Sequence, residues 1–220
     1  MNQLENELNL LKNEVKNMWG LVNSQLVKAR TALFNFDKDL AREVILKEKR
    51  VNGSELKIDR DCENIFALYS PVAIDLRFLL AVLKINSNLE RIGDIAEGIA
   101  KYVLEAGTPF TPEILRATQV VEMYNESMIM LEDTEAAFAN EDTLIARGVF
   151  KKDEFLDSIN INANELIEAY LEDYPKDIDQ ALYILSIIRK LERVGDQSKN
   201  IAEEIIFYLE AKVLKHSNKM

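Results

Sequence analysis

Apolar residues return every three or four positions along nearly the whole chain, the spacing of one-sided helices. Leu4, Leu8, Leu11, Val15, Met18, Val22, Ala29 and Phe36 form one such seam, predicting a first helix from residue 2 to about 36. A second helical stretch follows from 37 to 69, with Asp37 as its N-cap and a seam of Ile58, Cys62, Ile65 and Tyr69. Asn52-Gly53-Ser54 predicts a break or kink inside it, since Asn and Gly disfavour helix interiors. Ser70-Pro71 has the form of a cap followed by a proline at the first helical position. The third helix is expected to start there and to run to about Glu105, with its seam at Val82, Ile85, Leu89, Ile92, Ala96, Ile99 and Val103.

Gly107-Thr108-Pro109-Phe110-Thr111-Pro112 interrupts the pattern at mid-chain, and Thr111-Pro112 repeats the cap-and-proline signal. A fourth helix is predicted to about Asn140, with Met123, Met128 and Met130 as core filler. A fifth runs from about Glu141 to Glu172, and a sixth from about Ile178 to Leu214. With only 7 Gly and 4 Pro in 220 residues, long helices with few turns are expected, and the fold class is all-α.

The halves repeat each other. Leu89-Glu90-Arg91-Ile92-Gly93-Asp94 returns 102 positions later as Leu191-Glu192-Arg193-Val194-Gly195-Asp196. The match extends to Ile99-Ala100 on Ile201-Ala202. Such self-similarity marks an internal duplication, here two tandem three-helix bundles, residues 1–106 and 107–220.

Charge narrows the function. The net charge of −11 repels nucleic acid and anionic lipid, so DNA binding is not expected. Cys62, the lone cysteine, falls on an apolar seam and reads as a buried, inert thiol; no disulfide framework is possible. No apolar run is long enough to span a membrane, and the acidic N-terminus lacks signal-peptide features. A cytoplasmic protein without membrane insertion is the expectation. The one histidine, His216, lies in a tail (Lys215–Met220) expected to fray.

The candidate chemistry lies in the acids. At about 100° per residue, Glu90, Asp94 and Glu97 share one helix stripe within roughly 60°, pointing away from the apolar seam. Glu192, Asp196, Asn200 and Glu203 repeat it. Carboxylates four apart on a helix repel unless a cation lies between them, and hard or borderline metals take such oxygens. A solvated acidic face is the alternative, and spacing alone leaves the two open. Glu55, Asp59 and Glu63 on the second helix stand ready to complete an oxygen cage with Glu90 and Asp94 if the helices are antiparallel. Asp153 and Asp157 on the fifth are taken as the second-half counterparts of Glu55 and Asp59. Gly93 and Gly195, mid-helix in both copies, imply either close approach of a neighbouring helix or room for a ligand.

Ser70-Pro71-Val72-Ala73-Ile74-Asp75-Leu76-Arg77, followed by Glu90-Arg91-Ile92-Gly93-Asp94, resembles the first repeat of the PhoU family. Glu192 to Asp196 with Asn200-Ile201 and Glu203 resembles the second. At the start of the sixth helix only Asp177 matches, and Gln197 stands where many members have histidine, which would restrict the second site to oxygen ligands. The resemblance implies a regulator of inorganic phosphate transport and the phosphate-starvation response. Its partners would be the ATPase of a phosphate ABC transporter and a membrane sensor histidine kinase, and it would be a homodimer. It also implies multinuclear metal clusters, iron or zinc with manganese or magnesium as alternatives, at Glu90, Asp94, Glu192, Asp196, Asn200 and Glu203, joined by Glu55, Asp59, Asp153 and Asp157. The resembled proteins are not enzymes. A carboxylate-bridged oxidase is disfavoured because that chemistry uses Glu-x-x-His pairs. A metal-free helical adaptor, or a regulator of a different phosphate transporter, is the remaining alternative.

Overall fold

The computed structural model describes residues 3–214; His216 and the tail from Lys215 to Met220 lie outside the described residues. Among the described residues seven helices follow one another: α1 (Gln3–Asn35), α2 (Lys38–Tyr69), α3 (Ala73–Glu105), α4 (Pro112–Ala117), α5 (Val120–Asn140), α6 (Thr143–Asp173) and α7 (Ile178–Glu210). There is no strand among the described residues. Helices α1, α2 and α3 pack as one bundle and α5, α6 and α7 as another, with α3 lying against α7 and α1 against α5. No helix among the described residues is long and apolar enough to cross a membrane.

The two halves turn their first corner in the same way. Phe36 and Glu141 adopt positive φ (52° and 55°), so the backbone N–H groups of Asp37 and Asp142 return to Ala32 O and Ala137 O, each at 3.0 Å. Such left-handed residues are common helix stops. Asp37 then caps α2 by accepting from the N–H groups of Asp39 and Leu40, and Asp142 caps α6 from Leu144 and Ile145. Each cap is worth on the order of 1 kcal/mol.

One hydrophobic core runs through both bundles. Trp19 and Phe138 meet at 5.0 Å between ring centres, and the buried Tyr124 hydroxyl donates to Leu26 O at 3.0 Å. Along the α3–α7 contact, Lys84 pairs with buried Glu204 at 3.0 Å, and Tyr102 packs on Tyr183. Cys62 is buried as expected, and burial pushes its thiol up to about 12. Met123 and Met130 are core residues, with Met128 packed at the edge.

Four expectations change. The α2 helix runs unbroken through Asn52-Gly53-Ser54. Asn52 Nδ2 donates to Glu48 Oε2 and Ser54 Oγ to Arg50 O, so both side chains find an acceptor one turn back within the helix, while Val51 is buried. Ser70 is not the N-cap of α3 but the left-handed end of α2 (φ 46°), and α3 begins at Ala73 after Val72. The predicted fourth helix is split: Thr118 donates its hydroxyl to Ile114 O, and Gln119 takes φ 53°, which separates α4 from α5. Finally, α7 stops at Glu210, where Ala211 turns left-handed.

The central glycines are places of close approach. A Cβ on Gly93 would stand 3.0 Å from Val51 Cγ1; one on Gly195 would stand 2.8 Å from Leu156 Cδ2 and 3.2 Å from Asp153 Oδ1. Gly53, by contrast, faces open space. Gly53→Ala is therefore expected to stabilise the fold by about 1 kcal/mol, raising Tm by roughly 2–4 °C. Gly195→Ala is expected to lower Tm despite the same gain in helix propensity, because fully buried Leu156 has nowhere to move. Thermal melts followed by circular dichroism compare the two; equal gains in both would contradict the close packing of α7 on α6.

Candidate metal centre

The acids do not face away from the protein. Glu90 projects from α3 into the groove shared with α2 and is half-buried, while Asp94, one turn on, lies at the exposed rim. The residue that meets them is Glu48 of α2, only 6% exposed. Glu48, Glu90 and Asp94 each place a carboxylate oxygen within 4.8 Å of the other two. Glu48 accepts from Asn52 through Oε2 at 2.7 Å, whereas its Oε1 is buried with no hydrogen-bond partner, as is Asn52 Oδ1.

Three carboxylates without an intervening cation distort one another's charge state. Burial first, then Asp94, Glu55 and Glu48, push the Glu90 carboxyl up to about 7. Burial followed by Asp94 raises Glu48. Glu55 is raised by burial, Asp59 and Asp94, so it borders the trio. Asp59 is instead engaged by Asn86 Nδ2, which donates to Asp59 Oδ1 and to Glu55 O, both at 2.9 Å.

The same groove exists between α6 and α7. Asp153 is 2% exposed, and Glu192 is raised by burial, then by Asp196, Asp157 and Asp153. Burial also raises Asp196. Here a cation is already present: Lys199 Nζ donates to Asp153 Oδ2. Asn200 and Glu203 are half-buried further along α7.

The pairing of the halves differs from the expected one. Measured from the caps Asp37 and Asp142, Glu48 corresponds to Asp153 and Asn52 to Asp157. The packing agrees, since Val51 lies on Gly93 as Leu156 lies on Gly195. Glu48 was not singled out from the sequence, although Glu48-x-x-x-Asn52 repeats the four-residue spacing of Asp153-x-x-x-Asp157. The cap-to-cap offset is 105 positions, against 102 for the motif on α3 and α7; the three-residue difference hid the match.

The two motif helices also flank a cleft of about 540 Å³ between α3 and α7. Arg91, Asp94, Glu97 and Lys101 line it from one side, and Lys190, Arg193 and Gln197 from the other. Lys190 crosses over Gly98, where a Cβ would obstruct it, and burial together with Arg193 and Lys101 lowers its pKa.

The donor set of the α2/α3 groove fits a metal ion. It offers carboxylate oxygens, one of them buried and unpaired, with an amide oxygen beside it, the ligand chemistry of hard and borderline cations. In the metal-free protein the sign of the pH dependence follows from Glu90. The Glu90 carboxyl of the folded chain keeps its proton to about pH 7, whereas an ordinary glutamate loses it near 4.5. The stabilisation is complete below the unfolded value and is lost as pH rises through the folded one. In chelator, Tm is expected to fall between about pH 5 and pH 7.5, and Glu90→Gln to flatten that fall. A native Tm that rose over this range would contradict the cluster.

Comparison with known proteins bears on the whole chain. The PhoU domain matches it twice, over residues 15–103 and 120–205. The phosphate-specific transport system accessory protein PhoU of Escherichia coli K12 is 33% identical over 97% of this chain and 88% of its own length. A homologue so named from Thermotoga maritima is 30% identical over 96% of this chain and 90% of its own. Among solved structures, PhoU from Pseudomonas aeruginosa superposes with a TM-score of 0.89 at 31% identity, covering 96% of this chain and 100% of that one. The phosphate transport system regulatory protein PhoU from Streptococcus pneumoniae gives 0.87 at 30% identity, with 97% and 100% covered. Two domain matches in tandem, relatives aligned nearly end to end and the shared two-bundle architecture make this chain a member of the PhoU family.

Proposed function

We propose that this protein is a cytoplasmic, non-catalytic regulator of inorganic phosphate transport and of the phosphate-starvation response. It acts by contact with the ATPase of a phosphate ABC transporter and with a sensor histidine kinase, as a homodimer. Its relatives' role as accessory proteins of phosphate transport systems supports the transport half of this reading. The two repeats, 1–106 and 107–220, each supply one acidic groove.

The observation that carries the metal part is Glu48, a nearly buried carboxylate with one oxygen unpartnered beside Glu90 and Asp94. Such an arrangement is costly without a cation. Glu48, Glu90 and Asp94, with Glu55 at the border, would hold iron or zinc, with manganese or magnesium as alternatives. The bound ion supplies positive charge that cancels the mutual repulsion of these acids. The protein's own groups do the rest: α2 and α3 fix the carboxylates, and the close approach at Gly93 keeps the two helices in register. Loading the groove stiffens the α2–α3 pair and changes the charge of the face offered to a partner.

Plasma mass spectrometry on reconstituted, dialysed protein tests the metal. Native chain is expected to retain it and Glu48→Gln/Glu90→Gln to lose at least tenfold in affinity while staying helical, since loss of even a ligand's supporting partner costs about 10–100-fold. Surface-plasmon measurements against the purified transporter ATPase test the partner. The native loaded chain is expected to bind and the double variant to bind more weakly. Equal, metal-free binding by both would leave the acids as an electrostatic docking face and end the metal part of the reading.

A further inference from the structure

The two acidic grooves are built alike but neutralised differently. In α6/α7, Asp153 is buried and Lys199 Nζ donates to its Oδ2. In α2/α3 the equivalent carboxylate, Glu48, forms no ion pair among the described residues: the Lys101 ammonium acts on it only through space, the amide of Asn52 donates to Oε2, and Oε1 has no hydrogen-bond partner. The residue at the position of Lys199 is Glu97, 102 positions earlier. Glu97 is turned to Lys101, with which it forms an ion pair at 2.5 Å, and both line the α3/α7 cleft. Substituting an acid for a lysine at one position thus leaves one groove short of positive charge and fills the other.

We propose that Lys199 is the resident cation of the α6/α7 groove and closes it to metal, so that the chain's metal capacity resides in the α2/α3 groove alone. This rests on the metal reading of Glu48, Glu90 and Asp94. Lys199 is a specificity-determining residue in this sense: its ammonium occupies the charge deficit that a divalent ion would otherwise fill. A lysine ammonium and a divalent ion compete for the same carboxylate lone pairs, and the tethered one is present at an effective concentration that free metal does not match. The duplication has therefore produced one groove responsive to metal and one that is set permanently. Among the described residues the acidic trio is formed only in the former.

The test uses the full chain, stripped with chelator and then reloaded with zinc or manganese, dialysed, and measured for metal per chain and for Tm. Three proteins are compared: native, Glu192→Gln/Asp196→Asn, and Lys199→Met. The acid variant is expected to keep the native metal content. Lys199→Met is expected to take up about twice as much; in chelator its Tm falls by about 5 °C or more and metal restores it. A native metal content halved by Glu192→Gln/Asp196→Asn, with Lys199 in place, overturns the proposal, whether or not Lys199→Met folds. So does a Lys199→Met chain with native metal content and a Tm that metal does not raise. If the native chain takes up no metal but Lys199→Met does, the α2/α3 reading fails while the role of Lys199 stands; uptake by neither ends both.

Discussion

Helix contact at Gly93 and Gly195 is the constraint on which the acidic grooves depend. A helix that carries a Cβ at its contact keeps its neighbour at a distance; without one, α3 settles onto Val51 and α7 onto Leu156. The glycine lies one residue before Asp94 or Asp196, so the same approach that packs the core draws α2 and α6 carboxylates towards the motif. Helix propensity is sacrificed at both positions, by about 1 kcal/mol each. Burial of fully apolar side chains on either side offsets it, each worth about 1.5–3 kcal/mol.

Close approach of like charges has to be resolved in some way. In the α2/α3 groove, burial first and then the neighbouring acids Asp94, Glu55 and Glu48 push Glu90 far above the ordinary carboxylate range, so that protonation relieves the repulsion when no cation is at hand. The α6/α7 groove uses Lys199. Both grooves are bordered by exposed or half-buried acids such as Asp94 and Glu192, while Trp19, Tyr124 and Phe138 are fully buried in the core. The α3–α7 and α1–α5 contacts hold the two halves together, and the grooves lie on the opposite flanks of α3 and α7, against α2 and α6.

Local signals misled wherever a neighbouring element outweighed them. Asn52 and Gly53 disfavour a helix interior, yet α2 continues because Asn52 bonds one turn back to Glu48 and Val51 is locked under Gly93. Ser70-Pro71 has the composition of a helix start, but Ser70 ends α2 instead and the chain needs Val72 before it can turn into α3. The split between α4 and α5 has no strong breaker; buried Thr118 bonding back to Ile114 O decides it. By contrast, Asp37 and Thr111 were legible as caps, since a cap acts on its own first turn and needs no distant partner.

The sequence by itself determined the all-α class, the internal duplication, the family and the two motif helices with Glu90, Asp94, Glu192 and Asp196. Those follow from periodicity and from local identity, which survive without knowledge of packing. Only the tertiary structure decided which acids of α2 and α6 meet them. Both helix pairs start 105 positions apart, Lys38 with Thr143 and Ala73 with Ile178, but the motif lies deeper in α3 than in α7, so Glu90 and Glu192 are 102 apart. A helix carries its side chains round by about 100° per residue, and the three-residue slip moves the counterpart of Asp157 from Glu55 to Asn52 and that of Asp153 from Val51 to Glu48. That Lys199 reaches Asp153 across the groove, while its equivalent Glu97 turns to Lys101, likewise exists only once the helices are side by side.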